Sequence, residues 1–380
     1  MSSEWSFIKE SKPIELLQEK NIQRIGIFKF RNIGDVLLMT PSIRAIREAF
    51  PKARMTAVIN ASTEEMLQEN PHLDEVLVYD RSKRKAGNRL LQEFRFFREV
   101  RQRRFDLTIN LVSGERPAWC SLFSGARWRI SYYNWWPFWS WFRWAYTHIY
   151  RYPQQTVHQV LFQYRLLQKC GIPTPTDTNP SLANRLELIV NERDRIWAEQ
   201  FLFRHGFKKF IHIHPVSRWL FKCWDDLRMA QLIDWIQESE GLGVVLTCGP
   251  EQKERERAQR IIDLTRLKPL ALMGEISLKQ TAALIQKSEL FLGVDTAPMH
   301  MAAALGKPII ALFGPSGQGD WAPWTSSRII IDKGCPCGPV LKGGCEHHSL
   351  RACMEAITLD EVKTAVRSVL VTCFTDKIDS

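Results

Sequence analysis

The stretch "FLGVDTAPMHMAAALGKPIIALFGPS", residues 291–316, decides the fold. Its apolar runs mark strands over 290–294 and 308–313, and a polar turn, Asp295-Thr296-Ala297-Pro298, opens a short helix that carries His300. Strand, turn, helix and strand in so few residues make a βαβ unit, which requires a parallel sheet covered by helices. The turn itself has two readings. Thr296 as N-cap and Pro298 in the first helical turn make a well-capped helix and nothing more. The same geometry leaves helix N–H groups and the helix dipole available to an anion such as a diphosphate, with His300 one turn in as a further donor. "FGPSG" (313–317) adds a second flexible loop at the same sheet edge.

Working outward, the same alternation runs upstream. "KKFIHIHP" (208–215) reads as a strand, 225–238 as a helix, "LGVVLTCG" (242–249) as a strand and 250–265 as a helix with Pro250 near its start. Ser277 with Gln280, and Thr358 with Glu361, are capping boxes that open helices at 278–287 and about 359–374. A separate series begins at "RIGIFKF" (24–30) and passes through the turn "RNIGD" into a helix that Pro41 should kink or restart. Strands follow at 53–60, 74–80 and 105–112. Between the last two, Leu90, Leu91, Phe94, Phe97 and Val100 fall at helical spacing. A Pro/Thr-rich breaker, "GIPTPTDTNPS" (171–181), separates the series. Two α/β units are therefore expected, each with its ligand edge at the carboxyl ends of its strands and a substrate in the cleft between them.

The 380 residues suit two domains better than one core, and 45% hydrophobic with 24% charged residues excludes a disordered chain. A net charge of +11 favours an acidic partner or substrate. The first twenty residues lack the apolar core of a signal peptide, and no run of about 18 apolar residues marks a membrane span. Nine scattered cysteines fit a reducing cytosol. "CPCGPVLKGGCEHHSLRAC" (335–353) spaces Cys335, Cys337, Cys345 and Cys353 unlike common zinc pairs, so reduced thiols are expected there and no metal. Neither G-x-G-x-x-G nor G-x-x-x-x-G-K-[ST] occurs, which argues against a standard dinucleotide enzyme or P-loop ATPase.

Four further stretches carry candidate chemistry. "HPVSRWLFKCW" (214–224) brings Ser217, Arg218 and Lys222 after a strand, either as phosphate ligands or as an exposed basic loop. "FRNIGDVLLMTP" (30–41) places Gly34 at a tight bend and Asp35 at a helix start, where the dipole alone would explain a carboxylate and a cleft would make it a base. Residues 81–104 hold ten basic against two acidic residues, a surface for nucleic acid, anionic lipid or a phosphorylated substrate. "RWRISYYNWWPFWSWFRWAY" (127–146) is the compositional outlier, and seven of the 14 tryptophans fall between 119 and 144; membrane interface, buried cluster and base-stacking surface are all open.

Taken together, "RIGIFKFRNIGDVLLMTPSIRAI", "HPVSRWLFKCW", "GVDTAPMHMAAALGKPIIALFGPS" and "CMEAIT" resemble the lipopolysaccharide core heptosyltransferases of glycosyltransferase family 9, most like the branch called heptosyltransferase III. Many members carry Gly where this chain has Ala297, so the turn here must use an ordinary backbone region. The resemblance implies an α/β fold of the GT-B class, two Rossmann-like domains facing an interdomain cleft. On this view residues 1–190 bind the acceptor, 191–207 form an interdomain linker or helix, 208–358 bind the nucleotide sugar, and 359–380 form a terminal helix that packs back on the first domain. It implies an inverting, metal-independent transferase moving heptose from ADP-L-glycero-β-D-manno-heptose to a lipid-linked inner-core heptose. The chain would be cytoplasmic and would touch the inner membrane leaflet, with no cofactor and no nucleic acid partner. By motif, Asp35 matches the general base, Lys222 the phosphate contact, and Asp295, Thr296, Ala297 and His300 the donor turn, with Ser217, Arg218 and Gly314 beside them. Arg31, Gly34, Arg81, Lys83, Arg84 and Lys85 are the expected acceptor side. A GT-B enzyme with another nucleotide sugar, transferase or epimerase, and a non-catalytic basic binding protein are the rival readings.

Overall fold

The computed structural model describes residues 10–19, 21–80, 89–133, 142–152, 155–334 and 352–375. Contacts divide the chain into two compact units, Met1–Thr178 and Asn179–Ser380, with the break inside the Pro/Thr-rich stretch.

In the first unit, β1 (Arg24–Lys29) turns into α1 (Ile33–Leu37) and α2 (Thr40–Ala49). Pro41 sits in the first turn of α2, so the helix restarts there, where a missing N–H costs nothing. Next come β2 (Arg54–Asn60), β3 (Glu75–Tyr79), α3 (Arg89–Gln102), β4 (Leu107–Asn110) and α4 (Glu115–Ser124). β5 (Trp128–Tyr133), β6 (His148–Arg151) and α5 (Gln159–Gln168) complete it. All six strands are parallel, in the order β3-β2-β1-β4-β5-β6, so the direction of winding reverses between β1 and β4.

Two differences from the sequence reading stand out here. β5 lies in the tryptophan-rich region and β6 just beyond it, where the sequence reading predicts no strand; Ile130, Ser131 and Tyr132 are all buried, so no alternation of polar and apolar residues announces β5. On α3 the inward face is Phe96 and Val100, with Phe97 half-buried, whereas Leu91 and Phe94 of the expected stripe are exposed.

The second unit begins earlier than residue 208. Trp324 Nε1 donates to Asn184 O at 2.9 Å, and the Lys279 ammonium donates to Ile189 O. The linker or helix expected at 191–207 is helix α6 (Glu192–Arg204), which packs on a helix of this unit. β7 (Phe210–His214), α7 (Asp226–Ser239), β8 (Gly243–Thr247), α8 (Gln252–Leu264) and β9 (Leu270–Leu272) follow. Then come α9 (Leu278–Lys287), the partner of α6, with β10 (Leu290–Val294), α10 (Ala297–Ala304), β11 (Ile309–Phe313) and α11 (Gln318–Trp321). β12 (Arg328–Asp332), α12 (Ala352–Glu355) and α13 (Leu359–Thr375) close the chain. The strands are again all parallel, in the order β12-β11-β10-β7-β8-β9, with the reversal between β7 and β10. Both capping boxes form.

The terminal helix, expected on the first domain, anchors in the second: Val362, Val366 and Leu370 join the core formed by Ile211, Ile213, Leu290 and Leu292 with α7 and α8. An apolar stripe at this spacing has a ready partner in α7. Among the described residues no helix is long and apolar enough to cross a membrane. Cys353 and four other described cysteines are buried free thiols; Cys335, Cys337 and Cys345 lie outside the described residues.

Candidate active site

In an open α/β sheet the ligand edge is the carboxyl end of the strands where the winding reverses. The second unit places four candidate elements there: the loop after β7, the turn after β10, the first turn of α10 and the loop after β11. A short helical turn, Leu220–Lys222, swings Lys222 toward the β10 turn, where its ammonium meets Asp295 Oδ2 at 2.6 Å. The pair bridges the reversal point. Asp295 is nearly sealed and Lys222 about one-fifth exposed, so the carboxylate serves as the inner anchor and the ammonium is the part that reaches solvent.

Thr296 occupies the N-cap position of α10 with extended backbone, yet its hydroxyl does not cap the helix; it donates back to Val294 O at 3.2 Å. The first turn of α10 therefore has no side-chain cap, which is what an anion site needs and a merely well-capped helix does not. Ala297 is the first helical residue and has no positive φ, as its side chain demands. His300 is buried on the same helix.

Three candidates have structural duties. The Ser217 hydroxyl accepts from Trp219 N and its own N–H donates to Cys223 Sγ, which folds the loop that carries Lys222. Arg218 is exposed and paired with Glu251 at 2.9 Å, so no contact brings it to the Lys222–Asp295 pair. Gly314 is required by packing, since an added Cβ would lie 2.5 Å from Met354 Sδ.

In the first unit, Asp35 stands in α1, half-buried, after the strand at the reversal point. Beneath it lies a residue absent from the candidates, Lys29. Its ammonium is sealed in the sheet and donates to Leu111 O across the β1–β4 reversal at 2.9 Å. Burial lowers its pKa to about 8, opposed by the Asp35 carboxylate and assisted by Arg31. A lysine inside the apolar run "GIFKF" was the available signal, because lysine is almost never sealed without a purpose or partner. Arg31 is exposed and Gly34 half-buried, both in the same turn. Arg81, Lys83, Arg84 and Lys85 lie outside the described residues.

At the ends of β5 and β6, a cavity of about 450 Å³ is walled by Tyr132, Tyr152 and Phe162 and rimmed by Arg151, Arg165 and the Lys169–Glu10 ion pair. The Tyr132 ring meets Phe162 edge-on with centroids 4.4 Å apart, and the Tyr152 ring is tilted against it at 4.3 Å. Burial pushes the Tyr132 phenol well above its ordinary range, and both Arg31 and Asp35 lie near enough to act on it.

The profile of glycosyltransferase family 9 (heptosyltransferase) matches residues 93–350. The chain belongs to this family. It is 31% identical over 302 residues to lipopolysaccharide heptosyltransferase 3 of Escherichia coli strain K12, covering 78% of this chain and 84% of that one. The structure of a family 9 glycosyltransferase from Veillonella parvula superposes with a TM-score of 0.79 at 24% identity, covering 93% and 99% of the two chains. An Escherichia coli heptosyltransferase solved with ADP superposes with a TM-score of 0.69 at 16% identity, covering 91% and 100%. This glycosyltransferase therefore has the GT-B fold, with one α/β sheet in each unit.

Proposed function

We propose that this glycosyltransferase moves heptose from ADP-L-glycero-β-D-manno-heptose to a heptose of the lipopolysaccharide inner core, with inversion at the anomeric carbon and without a metal ion. The observation that carries the donor half is the Lys222–Asp295 pair beside the uncapped first turn of α10. Similarity to an Escherichia coli enzyme, lipopolysaccharide heptosyltransferase 3, supports heptose and the core acceptor, and the ADP complex of a related fold supports the nucleotide.

In this mechanism Asp35 accepts the proton of the attacking acceptor hydroxyl as its oxygen bonds to the anomeric carbon. The bond from that carbon to the diphosphate breaks, and negative charge collects on the departing ADP. Lys222 and the amides at the start of α10 meet that charge, so they stabilise the transition state more than the bound donor. Asp295 keeps Lys222 in place. The cavity at β5 and β6 supplies the acceptor side: aromatic rings for sugars and the Arg151 and Arg165 guanidinium groups for anionic substituents of the core, with Lys169 already paired with Glu10. The outer face of α3, with exposed Arg95 and Arg98 beside exposed Phe94 and Leu91, is the surface for an anionic membrane leaflet that bears the lipid-linked acceptor.

The test is direct. Purified protein incubated with ADP-heptose and truncated core acceptors should yield ADP and an acceptor heavier by one heptose, with the new linkage of inverted configuration. Transfer from UDP- or GDP-sugars in preference to ADP-heptose would overturn the donor assignment. Full turnover in the presence of excess chelator supports the metal-free reading, and its loss, restored by a divalent cation, would end it.

A further inference from the structure

We infer that His214 presents a fixed Nε2–H donor to the diphosphate of the sugar donor, its tautomer set by a buried relay through Thr247 and His212. This rests on the nucleotide reading above and adds to it a donor group that the sequence analysis does not name.

β7 reads Phe210-Ile211-His212-Ile213-His214 and every residue is buried. Ile211 and Ile213 belong to the core with α7, α8 and α13, so the two histidines occupy the other sheet face. On the neighbouring strand Thr247 ends β8, one step beyond the paired Ile213 and Leu246, which sets it beside His214. Its Oγ1 lies 2.8 Å from His212 Nε2 and 2.9 Å from His214 Nδ1. One hydroxyl therefore touches both rings, and it has one proton to give.

The far end of the relay fixes the direction of that proton. His212 Nδ1 is sealed and has no hydrogen-bond partner, and its ring lies almost parallel to Phe291. A proton there would be a buried N–H with no acceptor, the rarer and more costly defect; a bare lone pair is the lesser one. His212 therefore carries its proton on Nε2 and donates to Thr247 Oγ1. The Thr247 proton then goes to the remaining neighbour, His214 Nδ1. His214 is left with its ring proton on Nε2.

That atom is placed for use. His214 is 5% exposed, and its Nε2 has no partner among the described residues yet is not among the sealed polar atoms, in contrast with His212 Nδ1. It ends β7 at the reversal point, in register with Gly293, which has no side chain to cover it, two residues before Asp295. Burial keeps both imidazoles neutral. A neutral ring with a fixed N–H recognises an acceptor-only oxygen, and phosphate oxygens fit that description better than the ribose hydroxyls, which also need an acceptor.

The experiment uses the intact chain with ¹⁵N-labelled histidine and long-range ¹H–¹⁵N correlation, with the His214→Gln spectrum assigning the signal. The expected result is a single Nε2-protonated tautomer at His214 in the free protein, and a change at Nε2 on titration with ADP but not with adenosine. An Nδ1-protonated ring overturns the proposal, as does an equal response to adenosine. No ADP uptake by calorimetry overturns the nucleotide reading and this proposal with it, whereas ADP uptake with the His214 signal unmoved overturns this proposal alone. In variants, His214→Leu should raise the ADP dissociation constant about tenfold, and His214→Gln, which keeps a donor near the Nε2 position, by less than about threefold. Equal loss in both would reduce His214 to packing.

Discussion

The two units solve the same topological problem in opposite ways. Each places a lysine and an aspartate at the point where its sheet reverses. In the first unit the lysine, Lys29, is sealed inside the sheet and bonded to a backbone carbonyl, while Asp35 stands half in the open. In the second the aspartate, Asp295, is the buried member and Lys222 reaches solvent. One edge therefore offers a carboxylate and the other a cation, which is the division of labour that proton removal and leaving-group stabilisation require. The difference arises from local geometry: α1 starts so close to β1 that Asp35 must enter the helix, whereas a seven-residue loop after His214 gives Lys222 room to fold back.

The strongest way to break this comparison is Asp35→Asn, which keeps shape and removes the base. Transfer should fall by about a thousandfold, the usual contribution of general base catalysis, with the ADP dissociation constant unchanged. Wild-type turnover, measured by ADP release, would show that the open carboxylate does no chemistry.

The opposite polarity of the two edges should also appear in their response to pH. His214 is held neutral, its pKa lowered by burial to about 4 from an ordinary 6.5. As pH falls below 6.5 the unfolded chain takes up this proton first, so stability declines toward pH 4, by about 3 kcal/mol from this group. Lys29 acts on the alkaline side. Its pKa near 8 against an ordinary 10.5 means that the folded state releases its proton first as pH rises, so stability increases between pH 8 and 10.5 by a similar amount, about 3 kcal/mol. Denaturant unfolding across pH 4 to 10.5 checks both limbs. His214→Gln should flatten the acid limb relative to wild type and Lys29→Met the alkaline one; parallel curves for wild type and variant would remove the corresponding assignment.

Much of this frame was legible in the sequence, for identifiable reasons. The βαβ alternation, the restart at Pro41 and both capping boxes depend on local residue patterns, and local patterns survive folding. The pairing of Lys222 with Asp295 joins residues 73 apart, so no local pattern shows it; the family resemblance names the two residues separately and not as a pair. β5 escaped because a strand buried on both faces lacks alternation, and tryptophan and arginine drew the eye to surface chemistry instead. The His212–Thr247–His214 relay escaped because it crosses two strands, although two histidines at alternate positions of an otherwise apolar run were a visible anomaly. The terminal helix was misplaced because an apolar stripe announces that a helix packs and says nothing of where.

A finer cut separates the roles within the second edge. Lys222→Met should weaken ADP binding ten- to a hundredfold, because it removes a cation and leaves the nearly sealed Asp295 carboxylate unpaired beside the anion. If Asp295 is only the anchor, adding Asp295→Asn should recover binding about threefold over Lys222→Met alone, by removing that repulsion. Calorimetry on the four members of the cycle decides it. No recovery would mean that Asp295 itself contacts the donor.

The smallest expected effect tests a contrast of surfaces. In the second unit the exposed large apolar residues, Phe203, Trp219, Leu227, Leu264 and Val371 among them, are spread over separate elements. In the first unit Leu91 and Phe94 on α3 and Trp119, Leu122 and Phe123 on α4 are exposed together, and Phe123 stacks on Phe97 at 4.7 Å and on Trp119 at 5.9 Å. Exposed Arg95, Arg98 and Arg127 lie on or just beyond these helices. An apolar ladder with cations suits a lipid interface, where rings enter the headgroup boundary and guanidinium groups meet phosphate. The double substitution Phe94→Ser with Phe123→Ser removes two rings from this ladder and none from the sheet edges. Sedimentation with phosphatidylglycerol-containing vesicles should fall several-fold, while transfer to a soluble truncated acceptor stays at the wild-type rate. Neutral phosphatidylcholine vesicles should bind the wild-type chain weakly, since the arginines then lack their partners. Unchanged sedimentation in the double variant would assign the ladder to packing, and the two units would then differ at their strand ends alone.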